Sequence, residues 1–274
     1  MKRILVPTDF SKHAEEALKS AAQIPKKDGS EIFLLHLLEL PHEFNDTMTN
    51  EGSVPEVMLF IEKANKKLQK IKEQPHLQGI TINTTVQFEK AFDGILSFNK
   101  KNNIDLIVMG SHGSSGIEEM LIGSNTEKLV RLSDIPVLVV KKNLDTFNIK
   151  NIVFASDFSK EIKKPFLKLI EFAKIFDANL TLVMICTPNS FKTTAMAEKT
   201  MKNFIADFEI KNYSINIYND SNIEKGILNF TNTIGADLIG LCTHGRTGLS
   251  HFFNGSISED LANHSTKPVI TFKI

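Results

Sequence analysis

The chain repeats itself. Lys2-Arg-Ile-Leu-Val-Pro-Thr-Asp9-Phe-Ser11 returns 148 residues later as Lys150-Asn-Ile-Val-Phe-Ala-Ser-Asp157-Phe-Ser159. Asp105-Leu-Ile-Val-Met-Gly-Ser-His-Gly113 returns 132 residues later as Asp237-Leu-Ile-Gly-Leu-Cys-Thr-His-Gly245. In a chain of 274 residues, such spacing means two copies of one domain-sized unit, here 1–144 and 145–274. The second copy is 16 residues shorter, the difference between the two offsets, and the shortfall falls opposite Pro41 to Pro55, a polar stretch that reads as a loop.

Within each copy, short apolar β-prone runs alternate with longer segments of helical period, the mark of βαβ units and a parallel sheet. Strands are predicted at 3–7, 31–38, 80–87, 104–109 and 136–140, and again at 150–155, 178–185, 213–218, 236–241 and 268–273. The first-copy helices are predicted at 12–24, opening after an N-cap at Ser11, at 55–73, with Leu59, Ala64, Leu68 and Ile71 on one face, at 92–102 and at 124–133. Continuous apolar strands such as Leu106-Ile-Val-Met109 suit a sheet covered on both faces, whose parallel neighbours need right-handed crossovers. The fold class expected is α/β, with two tandem doubly wound domains.

Several function classes drop out. The 32 basic and 32 acidic residues cancel, which removes the broad positive field behind non-specific nucleic-acid binding. No run approaches the 18 apolar residues of a spanning helix, and Met1 to Phe10 lacks the apolar core of a signal peptide, so a soluble, cytoplasmic protein with no membrane partner is expected. Two cysteines, Cys186 and Cys242, make neither a disulfide framework nor a zinc cluster.

In a doubly wound sheet, ligands bind beyond the carboxyl ends of the strands where the strand order reverses. Two segments land there: Pro7-Thr8-Asp9 after the first strand and Gly110-Ser-His-Gly113 after the fourth. Nine residues after Gly113, Gly123-Ser124 opens a helix, completing G-x2-G-x9-G-S. Glycines there allow a tight turn or let backbone N–H groups approach phosphate oxygen, and a helix start supplies further N–H donors. Because Ser11 is the better cap, Asp9 is expected to face the ligand.

These residues resemble the universal stress protein family. The likeness rests on Ile4-Leu-Val-Pro-Thr-Asp9-Phe-Ser11, Leu34-Leu-His36-Leu37, Ile107-Val-Met-Gly-Ser-His-Gly113, Gly123-Ser124 and Ile135-Pro-Val-Leu-Val139, and it covers nearly the whole chain. It implies a five-stranded parallel sheet of order 3-2-1-4-5 in each domain, flanked by helices, and dimers that pair through the fifth strands. It also implies an adenine nucleotide, ATP first, with or without Mg2+. By resemblance, Pro7, Thr8, Asp9 and Leu37 line the adenosine, Met109 and Gly110 flank it, and His112, Gly113, Gly123, Ser124, Asn125 and Thr126 meet ribose and phosphates.

The second copy departs from that pattern, since Cys242 stands where Gly110 stands. Its weaker site would comprise Ser156, Asp157, Thr243, His244, Gly245, Gly255 and Ser256, with Arg246 as an added phosphate fork or a plain loop residue. The Cys242 side chain is expected to project where the nucleotide must approach. No nucleophile elbow, Walker lysine or metal-spaced histidine pair occurs, so slow ATP hydrolysis is the most enzymatic activity expected. Two readings of different class stay open: a nucleotide-binding regulator of the stress response, and a partner-binding scaffold whose pockets are vestigial. A nucleotidyl-transfer enzyme of the same fold lacks its motif, since Ser111-His-Gly-Ser114 is not a His-x-Gly-His element.

Three structural expectations follow. The copies should pack as an intramolecular pseudo-dimer, because Pro136 to Val140 and Pro268 to Phe272 would otherwise be exposed apolar edges; a homodimer of the whole chain is a further option. Cys186 and Cys242, on strands separated by a third, should remain thiols. Nucleotide should prefer the first copy.

Overall fold

The computed structural model describes residues 1–39, 54–111, 122–141, 147–243 and 255–274. The first half runs β1 (Arg3–Pro7), α1 (Lys12–Ala21), α2 (Pro25–Asp28), β2 (Glu31–Leu38), α3 (Val54–Lys72), β3 (Ile82–Phe88), α4 (Ala91–Asn102), β4 (Leu106–Gly110), α5 (Ser124–Leu132) and β5 (Val137–Val140). The second half runs β6 (Asn151–Ala155), α6 (Lys163–Phe176), β7 (Asn179–Cys186), α7 (Thr194–Ile205), β8 (Tyr213–Asn219), α8 (Ile223–Thr233), β9 (Leu238–Thr243), α9 (Gly255–His264) and β10 (Val269–Lys273). Most of the Pro41–Pro55 loop and of the joint between the copies lies outside the described residues.

The ten strands among the described residues form one sheet in the order β3-β2-β1-β4-β5-β10-β9-β6-β7-β8. Each half is therefore parallel with order 3-2-1-4-5, and the halves meet where β10 pairs antiparallel with β5, Val269 opposite Val139 and Thr271 opposite Val137. The two apolar edges cover each other. Because side chains alternate along a strand, each strand serves two cores. Ile4, Val6, Leu138, Val140, Ile152, Phe154, Ile270 and Phe272 join a single cluster that spans both halves, while Leu5, Val137 and Val139 belong to a core of the first half alone and Val153, Ile239 and Val269 to one of the second.

The repeat extends to individual hydrogen bonds. One Asp105 oxygen accepts the N–H groups of Lys2 and Arg3 at 2.7 and 3.0 Å, and Asp237 accepts those of Lys150 and Asn151, both at 2.9 Å. Lys141, just after β5, lays its ammonium on the carbonyls of Ala262 and Asn263 at the end of α9. Its counterpart Lys273 reaches the Leu132 carbonyl at the end of α5, at 3.4 Å, and pairs with Asp134 at 2.8 Å. Cations at helix carboxyl ends satisfy orphan carbonyls and oppose the dipole, and here both do so across the seam between halves.

Two helix predictions need correction. The segment 12–24 is a helix only to Ala21; Gln23 and Ile24 bond to Ser20 and Ala21 in a tightened turn, and Pro25, unable to continue a helix, starts a separate one. Leu59 does not share the buried face of α3. It is 48% exposed against 0% for Leu68, because nine residues at about 100° each place them on opposite sides of the helix. Cys186 and Cys242 are buried free thiols on β7 and β9, with β6 between them. Among the described residues, no helix is long and apolar enough to cross a membrane.

Candidate functional site

At the carboxyl end of β1 the chain must leave the sheet and enter α1 within four residues. Phe10 makes this possible by adopting φ of 65°, an unusual state for a residue with a bulky side chain. Two side chains hold the turn: Thr8 Oγ1 accepts the Phe10 N–H at 3.1 Å, and Asp9 Oδ1 accepts the Ser11 N–H at 3.0 Å. Ser11 caps α1 as expected, accepting the Ala14 N–H at 3.2 Å. The second half copies this turn, with Phe158 at φ 58° and Ser156 and Asp157 accepting the N–H groups of Phe158 and Ser159, both at 3.0 Å. His36 on β2 fixes the turn from behind: its Nδ1–H donates to the Thr8 carbonyl at 2.7 Å, and its ring lies 4.3 Å from that of Phe10.

Beyond this turn, between β1 and β4, lies a cavity of about 390 Å3, within the usual range of roughly 300–1,000 Å3 for small-molecule sites. Pro7, Thr8, Asp9, Leu37, Met109, Gly110, Gly123, Ser124, Asn125 and Thr126 all line it. His112 and Gly113 lie outside the described residues. Ala14, Leu35, Glu39, Ala91 and Ile95, which no sequence motif marks as site residues, also line it. Glu39, directly after β2, could have been found by the strand-end rule that located Asp9; its Oε1 accepts the Ala91 N–H at 3.1 Å and so caps α4.

The cavity has two chemically different ends. Toward β1 and β2 stand apolar Leu35, Leu37 and Ile95 with the carboxylates of Asp9 and Glu39, groups suited to an apolar ring system and to hydroxyl or amino donors. At the other end α5 begins. Its cap is Gly123, which offers no side chain, and its first backbone bond runs from Glu127 N–H to the Gly123 carbonyl, so the N–H groups of residues 124–126 point out of the helix start as anion donors. The Thr126 hydroxyl is committed elsewhere: it is buried and donates to the Gly110 carbonyl at 3.2 Å, tying α5 to β4. Among the described residues no His, Cys, Asp or Glu cluster is placed to hold a metal ion.

Two glycine arguments change. Gly123 has φ of −60°, so it meets no left-handed requirement. A Cβ on Gly110 would lie 2.6 Å from the His13 carbonyl oxygen, so this glycine lets α1 close onto β4 rather than bare the backbone to a ligand. Cys242 accordingly does not project into the ligand's approach. Its side chain belongs to the core cluster shared by both halves, where burial, seconded by the Asp157 carboxylate, holds the thiol far above its ordinary pKa. The second half also opens its helix differently: Lys160–Ile162 form a 3-10 turn, and α6 starts only at Lys163.

Among the described residues, the space at the matching place in the second half is small. Ser156 and Asp157 line a space of about 20 Å3, enough for one water. Ile223 stands where the first half has Ala91, and Ser190 and Lys192 close in from the segment after β7. Of the other residues assigned to this site, Thr243 is buried, its hydroxyl without a partner among the described residues, and Gly255 and Ser256 open α9. His244, Gly245 and Arg246 lie outside the described residues.

Comparison with known proteins agrees with the topology. Universal stress protein MJ0531 of Methanocaldococcus jannaschii is 33% identical over 147 residues, covering 52% of this chain and 82% of that protein. Universal stress protein Slr1230 of Synechocystis is 23% identical and matches both chains along their whole length. The crystal structure of a universal stress protein from Archaeoglobus fulgidus superposes with a TM-score of 0.76 at 22% identity, over 99% of this chain and 98% of that one, which shows the shared fold. The sequence pattern of the Universal stress protein family matches residues 1–141 and 216–273. With well over half of its length so matched and the same architecture in both halves, the chain belongs to the universal stress protein family.

Proposed function

We propose that the first half binds an adenine nucleotide, with ATP as the leading candidate, as a regulatory ligand in the cytoplasm, and that the second half does not. The observation that carries this reading is the two-ended cavity: apolar walls with acceptor carboxylates at one end, and a bare, glycine-capped helix start at the other. A nucleoside with a phosphate chain matches that order of chemistries. The acid groups near β1 and β2 suit ribose hydroxyls or the exocyclic amine and would repel phosphate, so they fix the ligand's direction. With no metal cluster among the described residues, Mg2+ would arrive on the phosphates. Among the described residues, those at the phosphate end are Gly123, Ser124, Asn125 and Thr126, none of them an ordinary general base, which favours a ligand over a substrate. The boundary between the two units is taken to fall near residue 144.

Titration calorimetry of the full chain with ATP, AMP and cAMP tests the reading. One ATP should bind per chain. Gly123→Val, which puts a branched side chain at the phosphate end, should weaken ATP at least about ten-fold, equivalent to about 1.4 kcal/mol, while Gly255→Val should leave it unchanged. Loss of binding in Gly255→Val alone would place the site in the wrong half. No binding of any of the three by the wild type would favour the scaffold reading.

A further inference from the structure

The first-half cavity and the seam between halves meet at the entry to α5. The chain that leaves β4 at Ser111 returns at Gly123, and its ends are tied by the Gly123 N–H donating to the Ser111 carbonyl at 2.8 Å. The residue before, Ile122, is buried, and it donates its N–H to the other half: the acceptor is Oδ1 of Asn263, at 2.5 Å, near the carboxyl end of α9. Asn263 is itself held in place. Lys141 sits on the carbonyls of Ala262 and Asn263, the latter at 3.3 Å, and α9 packs along α5. A continuous set of contacts thus runs from the seam strand β5 through Lys141 and α9 to the residue that precedes Gly123 and Ser124.

We propose that Asn263 is a positioning residue for the phosphate end of the first-half site, so that the second half serves the nucleotide by bracing the entry to α5. The proposal rests on the nucleotide reading above. Without the carboxamide, the Ile122 N–H would be a buried donor without its partner, and the chain would shift to satisfy it. Such a shift moves Gly123 and the outward N–H groups of α5 but leaves Asp9, Leu37 and Glu39, at the carboxyl ends of β1 and β2, where they are. The first half does not repeat the bracing residue. The first-half residue at the corresponding place, 132 positions earlier, is Arg131, whose guanidinium has no acceptor atom to offer in return.

The test uses the full chain carrying Asn263→Leu or Asn263→Asp. Without ligand, amide exchange at Ile122 should speed up in the leucine variant and stay slow in the aspartate variant, which keeps an acceptor oxygen. The leucine variant should bind ATP roughly two- to ten-fold more weakly, the worth of one hydrogen bond, and bind adenosine as the wild type does. Equal weakening of ATP and adenosine, unchanged ATP affinity, or unchanged exchange at Ile122 would each overturn the proposal. A wild type that binds neither ligand overturns the nucleotide reading and this role with it, even where exchange at Ile122 shows that the contact with Asn263 stands.

Discussion

A single methyl group separates two roles for the glycine that ends β4. If Gly110 served the ligand, alanine there would impair binding and spare the fold; because a Cβ would sit 2.6 Å from the His13 carbonyl oxygen, the cost falls on packing between α1 and β4. We therefore expect Gly110→Ala to lower unfolding free energy by about 1–3 kcal/mol, the range for overpacking. Urea denaturation should show the loss, and an unchanged midpoint would restore the ligand-approach explanation. The example marks the limit of reading glycines from sequence. The spacing of Gly110 and Gly123 located a real cavity, but it could not say what each missing side chain makes room for, because the neighbour that decides this, His13, lies on another element. Glu39 was missed for a related reason: it belongs to no motif, and only the end of β2 brings it beside Ala91.

At the scale of elements, most strand positions could be read in advance to within two residues, since buried parallel strands are short, continuous apolar runs that neighbouring polar turns delimit sharply. Helix faces were harder. Leu59 shows that an apolar residue near the buried stripe can stand half a turn away from it. The helix ends also carry charge relations with no sequence signature, and Lys141 is the clearest. Burial pushes its ammonium from the ordinary 10.5 down to about 8, so between those values the unfolded chain holds a proton that the folded chain has released. Stability from this group is complete above about pH 10.5 and is lost as pH falls through about 8. The stability of the wild type relative to Lys141→Met should accordingly rise between pH 8 and 10.5. Taking the difference cancels the opposing effect of the buried Cys242 thiol, present in both proteins. A pH-independent difference in thermal unfolding would contradict the assignment.

For the whole molecule, the antiparallel join of β5 and β10 decides how the chain can be divided. A fragment ending at residue 144 would carry β5 as a bare edge with Val137, Leu138, Val139 and Val140 all buried in the intact protein, and such an edge seeks a partner. We expect that fragment to form a two-fold dimer, with a second β5 replacing β10, and light scattering at micromolar concentration should report twice the fragment's mass; a stable monomer would show that the seam is not what holds the halves together. The same join has a historical meaning. In a symmetric dimer every substitution is made twice, so a change that fills one pocket fills both and function is lost at a stroke. A covalent tie between the copies ends that obligation. Ile223 can then narrow one place while Ala91 leaves the other open, and on the nucleotide reading the half without a ligand is free to specialise in something else.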